Sequence, residues 1–179
     1  AILSPLSDNP LYPNYRSNSA EILKDNGKSI SNVEEIDGYS MIINKDCFDD
    51  NFFFDEKFFM YLENVDLCLR AKKNGGKLYI VTNSKVHHLG AKAVDDKYSE
   101  EIELSRNWHW MWSRFYFNKK HRGIFVSLLL GLTSLLGNFI KYSVCLFTFN
   151  KKRHIYKIRM SGTINALFGK QSWYRPEIN

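Results

Sequence analysis

Residues 58–76 read FFMYLENVDLCLRAKKNGG and contain the pattern that decides the fold. From Leu62 to about Asn74, charged residues recur at spacings of three and four, beside an apolar stripe formed by Leu62, Val65 and Leu69. Gly75 and Gly76 follow, and glycine is the residue that most often stands just beyond a helix. The sequence therefore predicts one amphipathic helix with an acidic start and a basic end.

Short strands are predicted on both sides of this helix. The run DGYSMIIN at 37–44 is apolar and opened by a glycine, and KLYIVTNSKVHHLG at 77–90 predicts two short strands with a turn at Asn83-Ser84. Residues 1–32 are polar and contain three prolines, so we expect an irregular segment there. The order strand, helix, strand is typical of an α/β domain.

The charge of the chain is divided between its two ends. Residues 1–103 hold 12 Lys or Arg and 18 Asp or Glu, whereas residues 104–179 hold 13 Lys or Arg and a single acid, Glu177. Such an asymmetry indicates that the two parts meet different surroundings. A protein that binds nucleic acid through a uniformly basic surface would not show it.

Three helices are predicted in the basic part. The first covers 97–119, is rich in aromatic residues and ends at KKHR; the second is the uncharged segment 123–140; the third ends near Gly169. The uncharged segment is close to the roughly 20 residues that span a bilayer. Its small and polar residues form one stripe, which favours a helix packed on protein or lying in the membrane interface: Ser127, Gly131, Ser134, Asn138 and Lys141.

The basic clusters KKHR and KKRHIYKIR flank the uncharged segment. They could form an ordinary solvated face, but aromatic and apolar residues beside uncompensated positive charge favour an anionic, cytoplasmic membrane surface. Nucleic acid is a weaker alternative, because the basic residues interleave with an apolar helix. The three cysteines are widely spaced and indicate a reducing compartment.

The acids at the start of the predicted helix have two interpretations. Glu63 and Asp66 suit the positive end of the helix dipole, and Asp66 with Arg70 forms an ordinary i, i+4 pair. Alternatively, the aromatic residues around them partly desolvate a carboxylate, which raises its proton affinity and suits a general base. His87 and His88 point to opposite faces of a strand, so at most one of them serves a given site.

Taken together, these motifs resemble the C-terminal half of a GT-A fold, family 2 glycosyltransferase, of the rhamnosyltransferase-like branch that builds bacterial surface polysaccharides. The family's run is a glycine with an apolar strand, an FDE-x-FF-x-Y loop, an E-D-x-D-L-C-x-R helix and V-x-H-x-G. The likeness covers roughly residues 33–125, and the chain matches at Gly38, Asp55, Glu56, Phe58, Phe59, Tyr61, Glu63, Asp66, Leu67, Cys68, Arg70 and His88.

The resemblance implies an inverting transfer from a nucleotide-sugar donor to a glycan or lipid-linked acceptor, with a divalent metal, Mg or Mn. The family's base is the aspartate of its E-D pair, and here that position is Asn64, so Glu63 or Asp66 must take over or the enzyme is impaired; we favour Glu63. The resemblance further implies that His88 contributes to the metal and that substrate is bound by Asp37, Gly38, Asp55, Glu56, Tyr61 and Arg70.

The family's donor-binding half, with its D-x-D motif, would precede this region. We therefore expect residues 1–95 to be the acceptor-side part of a Rossmann-like GT-A domain, 96–122 a linking helix and 123–179 a membrane-associating tail on the cytoplasmic face of the inner membrane, peripheral or monotopic. The alternative function is a non-catalytic membrane-binding module derived from such an enzyme.

Overall fold

The computed structural model describes residues 1–7, 15–16, 29–44, 48, 53–88 and 96–175. The chain divides into two compact units. We call Ala1–Asp55 with Glu63–Ala93 the sheet unit, and Glu56–Leu62 with Val94–Asn179 the helical unit. The predicted α/β class is confirmed, because a mixed four-stranded sheet occurs together with four α-helices in the described residues.

The sheet unit contains strands that pair in two sheets. They are β1 (Ile2–Ser7), β2 (Tyr15–Arg16), β3 (Ile30–Asn32), β4 (Glu35–Ile36), β5 (Ile42–Ile43) and β6 (Leu78–Val86). The larger sheet has the order β3-β6-β1-β5, in which β1 and β6 run parallel and both edge strands are antiparallel to their neighbours. A Rossmann-like domain is built on several adjacent parallel strands, whereas the described sheet has one parallel pair.

Three strand predictions differ from the structure. The expected loop at the N-terminus is wrong for Ile2–Ser7, which form a central strand with Ile2 and Ser4 fully buried. The expected turn at Asn83-Ser84 lies inside β6, where the register with β1 shifts between Pro5 and Leu6. Proline cannot donate a ladder hydrogen bond, and an irregular register is where a strand tolerates it. The predicted run at 37–44 is likewise shorter, because only Ile42–Ile43 belong to a strand.

Helix α1 (Glu63–Lys73) agrees with the predicted range, Leu62 to about Asn74, to within one residue at each end. It is stopped by Gly75, which has a φ of 75°, and by Gly76, whose N–H donates to the Ala71 carbonyl at 2.8 Å. The predicted apolar stripe is wrong. The buried residues of the helix are Asn64, Asp66, Leu67, Cys68 and Ala71, whereas Leu62, Val65 and Leu69 are only half-buried. Of the buried residues, Leu67, Cys68 and Ala71 belong to the core that the helix forms with the strands.

The core of the sheet unit forms where α1 covers the sheet. Its buried members come from strands, loop and helix alike, so neither layer is stable without the other: Ile2, Val33, Ile36, Leu67, Cys68, Ala71, Leu78 and Ile80.

The helical unit contains a short 3-10 helix (Asp96–Tyr98) followed by α2 (Ser99–Arg122), α3 (Ile124–Phe147) and α4 (Arg153–Leu167). Gly123 joins α2 to α3 with a φ of 88°. These bounds confirm the three predicted helices and extend the second of them to Phe147. The buried core of this unit is formed by Trp108, Trp112, Phe115 and Ala166.

Small residues bring the three helices of this unit close together. In the predicted stripe of α3, Ser127, Gly131 and Asn138 are buried, so this side of the helix packs on protein as expected. A Cβ at Gly131 would lie 2.9 Å from the Phe115 ring, and one at Gly162 would lie 2.4 Å from the Trp108 carbonyl oxygen. Glycine at these two positions is therefore required by packing.

Helix α3 is also long and apolar enough to cross a membrane. Its most apolar window has a mean hydropathy of 1.7, and 17% of that window is buried. Length and composition alone do not distinguish a crossing helix from one that lies against a surface.

Gly162→Ala tests the close packing of α2 on α4. Because the new methyl group would meet backbone, which cannot turn away, we expect the free energy of unfolding to fall by about 1–3 kcal/mol. Chemical denaturation followed by circular dichroism measures it.

Gly137→Ala in α3 is the matched control, because a Cβ there meets nothing within 4 Å. It should leave stability unchanged or raise it by about 0.5–1 kcal/mol, since alanine favours helix more than glycine does. Equal destabilisation by both substitutions would contradict the assigned packing.

Candidate functional site

The candidate site lies in the sheet unit, where the turn after β4 meets the first turn of α1. Asn64 makes this contact: its Nδ2 donates to the Ile36 carbonyl at 3.0 Å and to Asp37 Oδ1 at 3.3 Å. A Cβ at Gly38 would lie 3.4 Å from the Asn64 Cβ, so the turn is in close contact with the helix. The structure thus brings together four predicted site residues: Asp37, Gly38, Glu63 and Asn64.

Cys68 adds a second attachment to the same strand end. Its Sγ lies 3.8 Å from the Ile36 carbonyl oxygen, one helical turn beyond Asn64. Burial raises the pKa of the Cys68 thiol to about 11, so the thiol stays protonated and donates to the carbonyl. Cys68 is therefore a structural residue and not a nucleophile.

Glu63 is the acid whose environment suits proton transfer. Its carboxylate oxygen Oε2 is buried and has no hydrogen-bond partner among the described residues. Burial raises the pKa of Glu63 above its ordinary value of 4.5, a hydrogen bond from its own backbone N–H opposes that shift, and the nearby charge of Asp37 adds to it. A carboxylate of this kind accepts a proton more readily than an exposed one.

Asn64 occupies the position where the resemblance places an aspartate, and its amide is needed there. Both of its partners accept hydrogen bonds, so the side-chain NH₂ group must face them. An ionised aspartate would place its oxygens against a carbonyl and a second carboxylate. Asn64 therefore holds the turn in place and is not a proton acceptor.

Asp66 is already paired. It is fully buried, and its Oδ2 accepts a hydrogen bond from Arg70 Nε at 2.8 Å. The Arg70 guanidinium also donates to the Phe53 carbonyl, and it lies 5.9 Å from the centre of the Phe48 ring. The pair attaches the chain at Phe53 to helix α1. This agrees with the interpretation of Asp66 and Arg70 as an ordinary i, i+4 pair. Of the two acids of the helix, Glu63 is therefore the one that could accept a proton.

Tyr39 and His88 form the other side of the same turn. Their rings stack with centroids 4.0 Å apart and planes inclined by 23°. The Tyr39 hydroxyl is buried with no hydrogen-bond partner in the described residues. His87 is exposed, whereas His88 is half-buried. Both lie beyond the end of β6 at Val86, so the strand alternation predicted for them does not apply. Tyr39 was not predicted as a site residue, although its position directly after Asp37 and Gly38 could have indicated it.

The divalent metal implied by the resemblance needs more ligands than this turn supplies. Among the residues that the structure describes, no group of three or more His, Cys, Asp or Glu side chains is arranged to hold a metal ion. His88 supplies one imidazole, and the remaining ligands would have to come from elsewhere. The metal remains a prediction.

The other predicted substrate-binding residues lie in the segment before α1. Asp55 is half-buried at the end of the first part of the sheet unit, whereas Glu56 is exposed and Tyr61 half-buried in the helical unit. Tyr61 packs edge-on against Trp110 with ring centroids 5.6 Å apart. Their roles in binding remain predictions.

The aromatic residues of this segment contact α2. Phe58 packs on Tyr116 and Phe59 on His109, while the Ser113 hydroxyl donates to the Met60 carbonyl at 2.7 Å. Of the aromatic residues expected to desolvate the acids, Phe53 packs on the core of the sheet unit and Phe52 lies outside the described residues.

The backbone between Tyr61 and α1 is strained. Tyr61 and Leu62 have φ values of 69° and 67°, which cost non-glycine residues about 1–2 kcal/mol each. Such strain persists where the surrounding packing imposes it. Here the contacts of 58–61 with α2, within the helical unit, supply that packing.

Asn64→Asp tests the assigned role of the amide. We expect it to lower the free energy of unfolding at neutral pH by about 1–3 kcal/mol, because two hydrogen bonds are replaced by repulsion. The loss should shrink in acid, where a protonated aspartate can donate. Thermal unfolding between pH 4 and pH 8 measures both effects.

The same substitution at Asn107 is the control. Asn107 Oδ1 accepts a hydrogen bond from Arg159 Nε at 2.6 Å, which an aspartate keeps. Its Nδ2 donates to the Glu103 carbonyl at 2.8 Å in an exposed position, where water replaces the lost bond, so we expect a smaller loss of stability than at Asn64. Equal stability of Asn64→Asp and wild type at neutral pH would contradict the assignment.

Neither a family model, nor a curated protein, nor a solved structure matches this chain. The resemblance to family 2 glycosyltransferases therefore depends on the quoted motifs alone, and the family remains a prediction.

Proposed function

We propose that this chain is the acceptor-side part of an inverting, rhamnosyltransferase-like glycosyltransferase that acts in cell-surface polysaccharide synthesis. The observation that carries the proposal is Glu63, whose carboxylate oxygen Oε2 is buried with no hydrogen-bond partner in the described residues and whose pKa is raised by burial. A group of this kind is suited to removing a proton from a hydroxyl group. The quoted motifs supply the class of reaction.

In the proposed reaction, Glu63 takes the proton of an acceptor hydroxyl. The oxygen then attacks the anomeric carbon of the nucleotide sugar, and the bond from that carbon to the diphosphate breaks. The electron pair leaves with the nucleoside diphosphate, and the configuration at the anomeric carbon inverts. When bound, a divalent metal would offset the charge on the diphosphate.

The surrounding residues position Glu63 for this step. Asn64 holds the turn that carries Asp37 and Gly38 against the helix, and the charge of Asp37 helps to raise the proton affinity of Glu63. The Tyr39 hydroxyl and His88 are proposed to face bound substrate. Asp66 is not assigned the role of base, because its carboxylate accepts from Arg70.

The helical unit is proposed to attach the enzyme to the cytoplasmic face of the inner membrane, where lipid-linked acceptors reside. Its exposed apolar residues on α3 and its basic clusters support this association.

A non-catalytic membrane-binding module is the second candidate function. Asn64 favours it, because a residue that holds the turn has replaced the expected base. The two functions make different predictions: the module binds anionic vesicles without consuming a nucleotide sugar.

Glu63→Gln in the full-length gene product tests the proposed base. Removing a general base typically lowers the rate by about 10²–10⁴-fold, and we expect such a fall in kcat with the nucleotide-sugar donor. In the wild type, kcat/KM should fall as the pH decreases through the raised pKa of Glu63, and this acid limb should disappear in the variant. Glu103→Gln, at an exposed acid of α2, is the control and should keep full activity. Full activity of Glu63→Gln would contradict the assignment.

The same variant has a readout that is independent of activity. Because the pKa of Glu63 is higher in the folded than in the unfolded chain, its ionised form destabilises the fold at pH values above the folded pKa. Glu63→Gln should therefore raise the melting temperature at pH 7, and the gain should vanish below the unfolded pKa near 4.5. A lower melting temperature at pH 7 would show that the carboxylate has a structural role.

A further inference from the structure

The two sides of α3 differ sharply in chemistry. Ser127, Gly131, Asn138 and Cys145 are buried, and their spacing places them on one side of the helix. The opposite side is exposed and apolar, and we call it the lipid face: Phe125, Leu129, Leu132, Leu136, Phe139, Ile140 and Phe147, each at least 54% exposed. Ser143 lies in line with this side, and its hydroxyl donates to the Phe139 carbonyl of the same helix at 3.0 Å. A largely apolar stripe of this length on a surface indicates an interaction site.

Positive charge lies at both ends of the lipid face. Lys119, Lys120 and Arg122 are exposed before its first residue, and Lys151 and Lys152 are exposed after its last. The sequence has no carboxylate from Leu104 to Pro176 to compensate them. This charge is complementary to anionic lipid headgroups. The pattern favours a bilayer over a second copy of the chain, whose equally basic clusters would be brought together.

The turn after α3 supports the same partner. Phe149 is 85% exposed and has a φ of 54°, in a turn where the Asn150 N–H donates to the Cys145 carbonyl at 2.9 Å. Glycine is the usual residue at such a helix end. A large, exposed aromatic side chain there, beside two lysines, suits insertion between headgroups.

The packing of α2 and α4 determines how α3 can enter the membrane. Arg114 and Asn118 of α2 line one crevice with Gly131 and Ser134 of α3, near the middle of that helix. Thr163 of α4 lies 3.7 Å from the position of a Gly131 Cβ. Both neighbours therefore run beside the centre of α3.

These neighbours are strongly polar. Arg114 of α2 and Lys157 of α4 are exposed, and Arg159 of α4 is half-buried. If α3 crossed the hydrocarbon, this charge would have to enter it as well, which is costly. If α3 lies flat, only the lipid face enters the acyl region, and α2 and α4 remain in water. Lys141 then lies at the flank, beside Tyr156.

We propose that α3 lies in the plane of an anionic bilayer, with its lipid face in the acyl region, both basic ends at the headgroups of one leaflet and Phe149 inserted between them. The inference rests on the membrane association proposed above, and it adds the face, the depth and the orientation.

The first experiment measures binding of the full chain to vesicles of phosphatidylcholine with and without phosphatidylglycerol. We expect binding that requires the anionic lipid. Leu136→Glu should weaken it by about 10- to 100-fold, because a charge enters the acyl region. Ile42→Glu, the same substitution at an exposed residue of the sheet unit, should bind like the wild type.

Phe149→Gly separates the role of the ring from that of the fold. It should weaken vesicle binding by about three- to tenfold, while the melting temperature stays equal or rises because the left-handed strain is removed. Unchanged binding would overturn the role of Phe149.

The second experiment determines orientation. Arg122→Cys and Lys151→Cys place a thiol at either end of α3, and a membrane-impermeant maleimide is added outside vesicles to which each variant is bound. Peptide mapping by mass spectrometry separates these sites from the native cysteines. A helix in the plane leaves both sites reactive without detergent.

The outcomes distinguish the two proposals. No binding of the wild type to any vesicle overturns the membrane association itself. Binding with one end protected until detergent is added leaves the association and overturns the in-plane orientation. Unchanged binding of Leu136→Glu overturns the assigned face. Self-association that Leu136→Glu abolishes, without vesicle binding, would assign the face to a second copy of the chain.

Discussion

The arrangement of the candidate site depends on one side-chain amide. Asn64 Nδ2 donates to two acceptors at the end of β4, the Ile36 carbonyl and Asp37. This contact fixes the turn that carries Asp37 and Gly38 against the first turn of α1. Beside it, Glu63 Oε2 is buried with no hydrogen-bond partner among the described residues. A residue that looks like the loss of a catalytic group is therefore the residue that holds the site together.

Helix α1 carries two carboxylates that differ because of their environment. Asp66 is more deeply buried, yet Arg70 compensates its charge, and the pair stabilises the loop at Phe53. Glu63 is less buried, its Oε2 has no hydrogen-bond partner in the part of the chain that the structure describes, and burial raises its pKa. Helix α1 thus tolerates the unfavourable desolvation of Glu63 beside the compensated Asp66. Acids with such perturbed pKa values occur more often at functional sites than elsewhere, where they lower the stability of the fold.

The sequence predicted the local features of this chain better than its tertiary ones. The bounds of α1 followed from its acids, its charge spacing and Gly75, all of which act within a few residues. The central strand β1 was missed because ILSPLS contains a proline and little alternation, and only pairing with β6 makes it a strand. The buried face of α1 was misassigned for the same reason, because Asn64 and Cys68 are buried by their bonds to Ile36. Within the site, Glu63 could be named from the sequence, whereas the stacking of Tyr39 on His88 could not.

The spacing of small residues in helix α3 predicts which side of the helix packs on protein, but it does not predict what covers the other side. The spacing of its small residues correctly indicated a packed side, since Gly131 allows α2 to approach closely. The same spacing leaves the opposite, larger side chains exposed to solvent, from Phe125 to Phe147. The small side of α3 faces α2 and α4, so the large apolar side chains necessarily point away from them. The close packing of this unit and its exposed apolar face are consequently two results of one pattern.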